Sequence, residues 1–497
     1  LSSDTFEAID KLQEDLIFLQ ITPGKLIGGA KRTFARYFYH NPNAVLAYCD
    51  EFWNDNGVIN TGLKPDWSPD SFLSRFYFDG LVVVRKSDFE KEVPNWSEIT
   101  ETEQWWQVIY EYLMIKSCFN KINNGSNCVL HISQMLYERQ KNCYERGYNT
   151  GAESVLIHGD NSNEITRVTK DANFNRMPGI TVIIPSKDHP DLLEKCVGSI
   201  IETVESMRLQ IVIVDNGSRE SNRSKIASLL DSFKAMKPEF EFEYIYEEMP
   251  FNFSQMCNKG VEEAVEEHLL FLNDDIECIH KGWLEDMSVV AARPYVGAVG
   301  SKLLYPDGKR IQHAGITNLP IGPVHKLQFL NDAEIYYDEY NRGVRNVLAV
   351  TGACLLIRRE VYEEVGGMSE DLAVAFNDVE LCYRLYENGY YQVVLQDKPL
   401  YHHESLSRGD DEIKEKWQRL MKERATLYSK HPGLEGVDPF YNKNLNKNGL
   451  DVHILPEYEQ GKQHMLAVTP RILQGGLPGD AREDNCLMLR AEICREM

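Results

Sequence analysis

The stretch ITVIIPS, from Ile180 to Ser186, is a short β-branched apolar run that ends in polar residues, as a buried strand does. A helical pattern follows it, and a second apolar run, IVIVDNGS, spans Ile211 to Ser218. Further helical segments lead to the apolar runs FEYIY and HLLFLNDD, the latter from His268 to Asp275. This alternation predicts an α/β domain with a mainly parallel central sheet. Its polar residues cluster where strands end, which is where such sheets bind ligands.

Length and composition limit the function classes. The chain has 497 residues, 43% of them apolar and 26% charged, which is typical of a globular protein with more than one domain. Its 53 Lys and Arg against 76 Asp and Glu give a net charge of -23. This surplus of acids argues against a nucleic-acid-binding protein and against broad adhesion to anionic lipid.

Cysteine usage and hydropathy predict a cytoplasmic protein. The 11 cysteines are scattered and contain no C-x-x-C pair, which favours reduced thiols over disulfides or a zinc ribbon. The sequence has no apolar run of about 18 residues, and LSSDTFEAID at its start does not resemble a secretory leader.

Four blocks of the first 140 residues recur in the same order later in the chain, which indicates an internal repeat. From this we predict a partial domain copy at 1–140, a polar linker at 141–178, a complete domain at 179–450, and a C-terminal tail at 451–497 of unknown role. The paired blocks are DLIFLQIT (15–22) with HLLFLNDD (268–275), AVLAYCDEFWNDNG (44–57) with GAVGSKLLYPDG (297–308), DGLVVVRKSDF (79–89) with TGACLLIRREVY (351–362), and MLYERQ (135–140) with PLYHHE (399–404).

Asn273, Asp274 and Asp275 follow directly after a buried strand. Adjacent acids repel each other at such a place unless a cation lies nearby. Mg²⁺ or Mn²⁺, held by one or two carboxylates and by substrate phosphates, fits the pattern. A solvated turn is the alternative, since N-D-D also suits a turn.

The ends of the first two strands offer candidates for nucleotide binding. Asp215 could accept hydrogen bonds from a ribose or a base, as acids do in nucleotide-binding α/β folds. The segment Pro185 to Asp188 could also face a base. The alternative for Asp215 is a turn or helix N-cap.

Two later segments carry the remaining candidates. Asp378, at the start of the helical segment FNDVELCYRL (376–385), could be a general base or simply an acid that complements the helix dipole. In YHHESLSRG (401–409), His402 is a good ligand for Mn²⁺ and Arg408 could bind diphosphate oxygens. A structural histidine is the alternative for His402.

Together these motifs resemble glycosyltransferase family 2 with the GT-A fold, and most strongly its rhamnosyltransferase-like bacterial branch. The resemblance covers about half of the chain. It is carried, in order, by TVIIPSKD, IVIVDNGS, FNFSQMCNKGVEEA, LLFLNDDIE, GWLEDM, VGAVGSKLLYPDGKRIQHAG, TGACLLIRREV, GGMSEDLAVAFNDVELCYRL, YHHESLSRG and DPFYNKNL.

The resemblance implies an inverting, metal-dependent glycosyltransferase. Asp378 matches the family's general base, and Asp275 and His402 match its ligands for Mn²⁺ or Mg²⁺. Positions matching donor contacts are Pro185, Asp188, Asp215 and Asp274, with Arg408 a candidate for the diphosphate. Asn377 stands where many members carry Glu, and Trp283 and Thr351 to Cys354 match segments near the acceptor and the donor sugar.

The implied partners are a UDP- or dTDP-linked sugar donor and a glycan, glycolipid or glycoprotein acceptor used in bacterial surface polysaccharide or glycoprotein assembly. A peripheral location at the inner face of the membrane, or within a glycosyltransferase complex, is compatible with this function.

The first copy lacks the acids of the second. In the block alignment Gln20, Ile21 and Thr22 stand over the Asn-Asp-Asp run, and Glu138 stands over His402. We therefore predict that residues 1–140 form a degenerate GT-A copy that does not transfer sugar.

Three other functions compete with sugar transfer. The first is a non-catalytic GT-A-like scaffold or glycan-binding subunit of a glycosylation complex. The second is a nucleotidyltransferase, but PSKDHPDLLEK (185–195) lacks the expected Gly- and Lys/Arg-rich phosphate loop. The third is a dinucleotide-dependent oxidoreductase, but no G-x-G-x-x-G follows the strands.

Overall fold

The computed structural model describes residues 3–56, 58–99, 102–122, 128–140, 177–204, 207–403 and 413–455. Most of the expected linker and tail, and Arg408, lie outside these ranges. The described residues form two compact units. Unit 1 contains the described residues up to 140 together with 439–446 and 453–455, and unit 2 contains 177–438 and 447–452. The segment 439–446, which the sequence assigns to the second domain, thus packs within unit 1.

Unit 1 is a mixed sheet with helices. Its strand order is β1-β5-β3-β6-β2, with β4 paired to β3. Phe34 and Phe38 of its second helix share one buried core with Ala47, Val83 and Ile132 of the strands. The elements are α1 (Ser3–Glu14), β1 (Leu16–Gln20), β2 (Gly24–Leu26), α2 (Ala30–His40), β3 (Leu46–Asp55), β4 (Val58–Gly62), α3 (Pro69–Ser74), β5 (Leu81–Arg85), α4 (Lys86–Glu92), α5 (Thr102–Ile115) and β6 (Val129–Arg139).

Unit 2 is built around a larger sheet with strand order β11-β18-β12-β17-β10-β7-β8-β9. The elements are β7 (Ile180–Ser186), α6 (Pro190–Thr203), β8 (Leu209–Asp215), α7 (Glu220–Met236), β9 (Glu241–Tyr246), α8 (Phe253–Glu262), β10 (His268–Leu272), β11 (Ile276–Glu277), α9 (Trp283–Ala291), β12 (Val296–Leu304), β13 (Ile311–His313), β14 (Ile316–Leu319), β15 (Gly322–His325), β16 (Val344–Val347), β17 (Cys354–Arg358), α10 (Arg359–Glu364), α11 (Asn377–Glu387), β18 (Tyr391–His402) and α12 (Ile413–Lys430).

The expected mainly parallel sheet is confirmed in the central strands of unit 2. β10, β7, β8 and β9 pair in parallel, as do β12 and β18, while β17 runs antiparallel between β10 and β12. Every residue of β8, β10 and β12 is buried, as expected for strands covered on both faces. The carboxyl ends of the parallel strands therefore bring their terminal polar residues to one edge.

The internal repeat is visible in the hydrogen-bond ladder. The order β1-β5-β3-β6-β2 of unit 1 recurs as β10-β17-β12-β18-β11 in unit 2. Corresponding pairs also share their direction: antiparallel, antiparallel, parallel and antiparallel. Unit 1 therefore repeats the second half of the larger sheet, as the recurring sequence blocks predict.

Two further findings bear on the environment of the protein. Within the described ranges the cysteines are free thiols, and most of them are buried. No helix in those ranges combines the length and hydropathy required to cross a bilayer.

Candidate active site

Asp378 lies in the first turn of α11 and is held by backbone N–H groups. Its Oδ2 accepts a hydrogen bond of 2.7 Å from the N–H of Gly352, and its Oδ1 accepts one of 2.8 Å from Val379. Phe376, the residue before α11, adopts a left-handed conformation with φ 59°. Burial raises the pKa of Asp378 above its usual value, although these hydrogen bonds oppose the shift. The carboxyl is therefore more basic than an exposed aspartate.

The acids after β10 lie next to the loop that binds Asp378. The N–H of Asn273 donates to the carbonyl of Ala353 at 3.1 Å, one residue after Gly352. Asp274 follows, and its Oδ2 accepts a hydrogen bond of 2.7 Å from Ser186 at the end of β7. Burial raises the pKa of Asp274 to about 7. These contacts connect the ends of three strands to the start of α11.

Asp275 and His402 face each other where β11 pairs with β18. Asp275 Oδ1 and His402 Nε2 are 3.1 Å apart, and their side chains are only 7% and 8% exposed. The Asn273 amide lies 3.4 Å from the same imidazole nitrogen. The structure thus brings His402 to the adjacent acids Asp274 and Asp275. In the sequence, His402 lies more than 120 positions after them.

A carboxylate and an imidazole match Mn²⁺ or Mg²⁺ both in the type of ligand and in the number of protein ligands. Among the described residues no group of three or more His, Cys, Asp or Glu could hold a metal ion. A site with two protein ligands, completed by phosphate oxygens and water, is the usual arrangement for a catalytic Mg²⁺. The donor set of Asp275 and His402 therefore fits a metal that binds together with a diphosphate.

The candidate nucleotide contacts differ from one another in their burial and in their hydrogen bonds. Asp188 adopts a left-handed φ of 61°, and its Oδ1 accepts hydrogen bonds from Arg219 N–H and the Asn222 amide. These bonds lower its pKa. Pro185 lies near the end of β7 and is only partly buried. Both residues lie at the same sheet edge as the Asp274 carboxylate.

Asp215 is fully buried and both of its oxygens are used internally. Oδ1 accepts a hydrogen bond of 2.8 Å from Ser218 N–H, and Oδ2 accepts one from the Tyr244 hydroxyl. This geometry favours the turn-holding alternative, so a direct nucleotide contact by Asp215 stays a prediction. Trp283 is likewise buried, and its indole N–H donates to the Thr203 hydroxyl at 3.1 Å.

Comparison with known proteins identifies this part of the chain. Residues 181–366 match the family model described as glycosyl transferase family 2. They include the strands and loops that carry the Asp274–Asp275 pair and the Gly352 loop. Unit 2 is a glycosyl transferase family 2 domain.

Curated relatives agree with this assignment. The chain is 29% identical over 462 residues to the O-antigen biosynthesis protein RfbC of Myxococcus xanthus, covering 86% of this chain and 33% of RfbC. It is 26% identical over 166 residues to the N-acetylglucosaminyl-diphospho-decaprenol L-rhamnosyltransferase of Mycobacterium tuberculosis, covering 32% and 53% of the two chains. The chain thus spans about a third of the first relative and half of the second.

Among solved structures, a mannosyltransferase of Pyrobaculum calidifontis, in complex with GDP-Man and Mn²⁺, aligns with a TM-score of 0.39 and 15% identity. The alignment covers 65% of this chain and 86% of that one.

Unit 1 has no acids at the position of the glycosyltransferase acid pair. Its Ile21 N–H donates 2.9 Å to the carbonyl before β5, the bond that Asn273 makes in unit 2. The two residues after Ile21, namely Thr22 and Pro23, therefore replace the two aspartates. The sequence alignment placed this match one residue too early, at Ile21 and Thr22.

Arg139 takes the position of His402 in unit 1. β11 pairs with β18 at Ile276 and His402, and β2 pairs with β6 at Gly24 and Arg139. The prediction that Glu138 corresponds to His402 is therefore wrong by one residue. A permanent cation thus stands in unit 1 where the glycosyltransferase domain has its imidazole.

Arg139 belongs to a cluster of four buried charges in unit 1. Arg139 Nε lies 3.3 Å from Glu51, and its Nη1 lies 3.6 Å from Asp79. Lys64 Nζ lies 3.0 Å from Glu51 and 3.7 Å from Asp79. Since two cations offset two carboxylates, this part of unit 1 is neutral without a metal ion.

Proposed function

We propose that unit 2 transfers a sugar from a nucleotide-diphosphate donor, UDP- or dTDP-linked, to an acceptor hydroxyl with inversion at the anomeric carbon. The supporting observation is the contact path from Asp378 through Gly352, Ala353 and Asn273 to the acid pair. Because a base and a diphosphate-binding group lie along one strand edge, one substrate pair can contact both.

Asp378 is proposed to accept the proton of the acceptor hydroxyl. Burial raises its pKa, and therefore its basicity, while the Gly352 N–H fixes the carboxylate orientation. The hydroxyl oxygen attacks the anomeric carbon from the face opposite the diphosphate, so a single displacement inverts that carbon.

Asp275 and His402 would hold Mn²⁺ or Mg²⁺. When bound, such an ion supplies positive charge that offsets the negative charge of the departing diphosphate. The Ser186 hydroxyl keeps the neighbouring Asp274 carboxyl turned toward β7, next to this pair.

The similarity to RfbC supports an acceptor in surface polysaccharide or O-antigen assembly. We propose a glycan or glycolipid acceptor, presented at the cytoplasmic face of the membrane. The rhamnosyltransferase relative supports a deoxyhexose as one donor sugar to be tested first.

Replacing Asp378 by Asn tests the proposal, since the amide keeps the shape but cannot take a proton. We expect turnover of nucleotide sugars to fall by roughly 10²–10⁴-fold, about 3–5 kcal/mol of transition-state stabilisation, with donor binding retained. Asp231→Asn, at an exposed position of α7, is the matched control. Wild-type protein without turnover on UDP-, dTDP- or GDP-sugars with Mn²⁺ would instead favour the scaffold function.

A further inference from the structure

Two histidines that the proposed mechanism does not use form a pair at the ends of β13 and β15. His313 Nδ1 lies 3.0 Å from His325 Nδ1, and the ring centroids are 5.0 Å apart. His313 is fully buried, whereas His325 is partly exposed. A hydrogen bond between two such nitrogens requires a proton on one of them and a lone pair on the other.

Backbone contacts connect the pair to the loop that holds Asp378. His325 pairs with Ile316 in the β14–β15 hairpin, and Ile316 N–H donates 2.9 Å to Ala349, two residues before Thr351. The loop from Thr351 carries the N–H that binds the base. An electrostatic interaction with His402 also contributes to the lowered pKa values of both histidines.

Both imidazoles are neutral at physiological pH. Burial is the main cause of the lowered pKa values, which for His325 is about 4. A neutral pair has two protons for four ring nitrogens, and one proton lies between the rings. The remaining question is which outer nitrogen carries the other proton.

The surroundings of His313 decide the tautomer. In the described part of the chain His313 Nε2 is buried without a hydrogen-bond partner. An orphaned buried N–H is rarer than an under-satisfied acceptor, so Nε2 is best left as the lone pair. His313 then donates from Nδ1, His325 accepts at Nδ1, and His325 carries its proton on Nε2.

We propose that His325 donates this Nε2–H to a hydroxyl of the sugar being transferred, and that His313 is the positioning residue that fixes its tautomer and orientation. This inference rests on the proposed function of the same site. A neutral imidazole suits a sugar hydroxyl, whereas a diphosphate is better matched by a cation.

Replacing His325 by Asn or by Gln distinguishes the roles of its two ring nitrogens. The Asn amide reproduces the inner Nδ1 group and lacks the outer donor, whereas the longer Gln amide restores an N–H near Nε2. We expect His325→Asn to lower kcat/KM for the nucleotide sugar roughly tenfold, and His325→Gln to remain within about threefold of wild type. His313→Leu should resemble His325→Asn, and His313→Asn should retain most activity.

Calorimetry with a nucleoside diphosphate alone provides the second readout. With Mn²⁺ present, His325→Asn should bind UDP or dTDP as wild type does and bind the corresponding nucleotide sugar more weakly. Equal loss for both ligands, or no loss for either in a variant with wild-type thermal stability, would overturn the assignment. Wild-type protein that binds neither ligand would overturn the proposed function and the inference with it.

Discussion

At the scale of single residues, Arg139 is a buried cation at the position that corresponds to His402 in unit 2. It lies within 3.6 Å of Glu51 and Asp79, which are themselves almost completely buried. Removing one partner from a buried ion pair is costly, because the remaining charge has neither water nor a counter-ion. The Arg139 network is therefore expected to be essential for the stability of unit 1.

Arg139→Met should destabilise the protein by about 3–5 kcal/mol, since two carboxylates then share Lys64 alone. Urea unfolding measures the loss. The double variant Arg139→Met/Asp79→Asn restores charge balance with the Lys64–Glu51 pair and should recover part of it. A single variant as stable as wild type would contradict a stabilising role for this network.

Residue identity also shows where sequence reasoning succeeds and fails at this scale. The family resemblance predicts Asp275 and His402 as partners, and they lie 3.1 Å apart. The block alignment, which matches apolar letters, places Glu138 over His402, whereas the backbone pairing of the strands places Arg139 there. One of the two internal hydrogen bonds of Asp215 comes from Tyr244, a residue that its own motif does not contain.

At the scale of elements, α8 packs unusually closely on β7. A Cβ on Gly260 would lie 2.3 Å from Ile183 Cγ2, closer than two carbon atoms can approach. The glycine therefore permits the helix to contact the strand that leads to Ser186.

Gly260→Ala should cost about 1–3 kcal/mol through overpacking against Ile183. Gly198→Ala is the matched control, because this glycine lies inside α6 with nothing within 4 Å of the added Cβ. The control should be stabilised by about 0.5–1 kcal/mol through helix propensity. Denaturant midpoints of the two variants should therefore shift in opposite directions, and shifts in the same direction would contradict this account of the packing.

The segment after β15 contains a buried lysine whose pKa is lowered. Lys326 is fully buried and donates to the carbonyls of Gly449 at 3.0 Å and Asp451 at 2.9 Å. Burial lowers its pKa to about 7, although the charge of Asp451 opposes the shift. The folded state therefore binds this proton less readily than the unfolded state, whose lysine titrates near about 10.4.

The pH dependence follows from this difference. Between about pH 7 and 10.4 the unfolded state binds more protons, so the Lys326 contribution to stability rises with pH across that window. Comparing urea midpoints of wild type and Lys326→Met at pH 6 and pH 9 isolates the effect. The wild type should gain more stability than the variant on going to pH 9, and equal gains would contradict the lowered pKa.

The sequence predicts that strands β7, β8 and β10 exist. It does not predict which segments that are distant along the chain pack together. The strands β7 and β8 are recognisable in the sequence by their β-branched apolar residues, and β10 is recognisable by its short continuous apolar run. The segment 439–446 resembles a family closing segment in sequence but packs in unit 1, where the Asn442 amide donates to Asp50 at 3.0 Å. Such a contact joins residues 392 positions apart and leaves no local pattern.

At the scale of the whole molecule, we predict a single centre for sugar transfer, in unit 2. Asp275→Asn/Asp378→Asn removes one proposed metal ligand and the proposed base, so transfer should fall to the background of a protein-free reaction. Asp231→Asn/Asp371→Asn, at two exposed positions, is the control. Residual transfer above background in the first variant, measured by nucleotide release, would indicate a second centre and contradict the prediction for residues 1–140.

The shared ladder of the two sheets allows their side chains to be compared position by position. Backbone pairing is shared by the two sheets, whereas Thr22, Pro23 and Arg139 stand at the positions of Asp274, Asp275 and His402, so the side chains differ more than the ladder that carries them. Grafting side chains from one half to the other offers a way to ask how many substitutions separate the sugar transfer proposed for unit 2 from the inactivity predicted for unit 1.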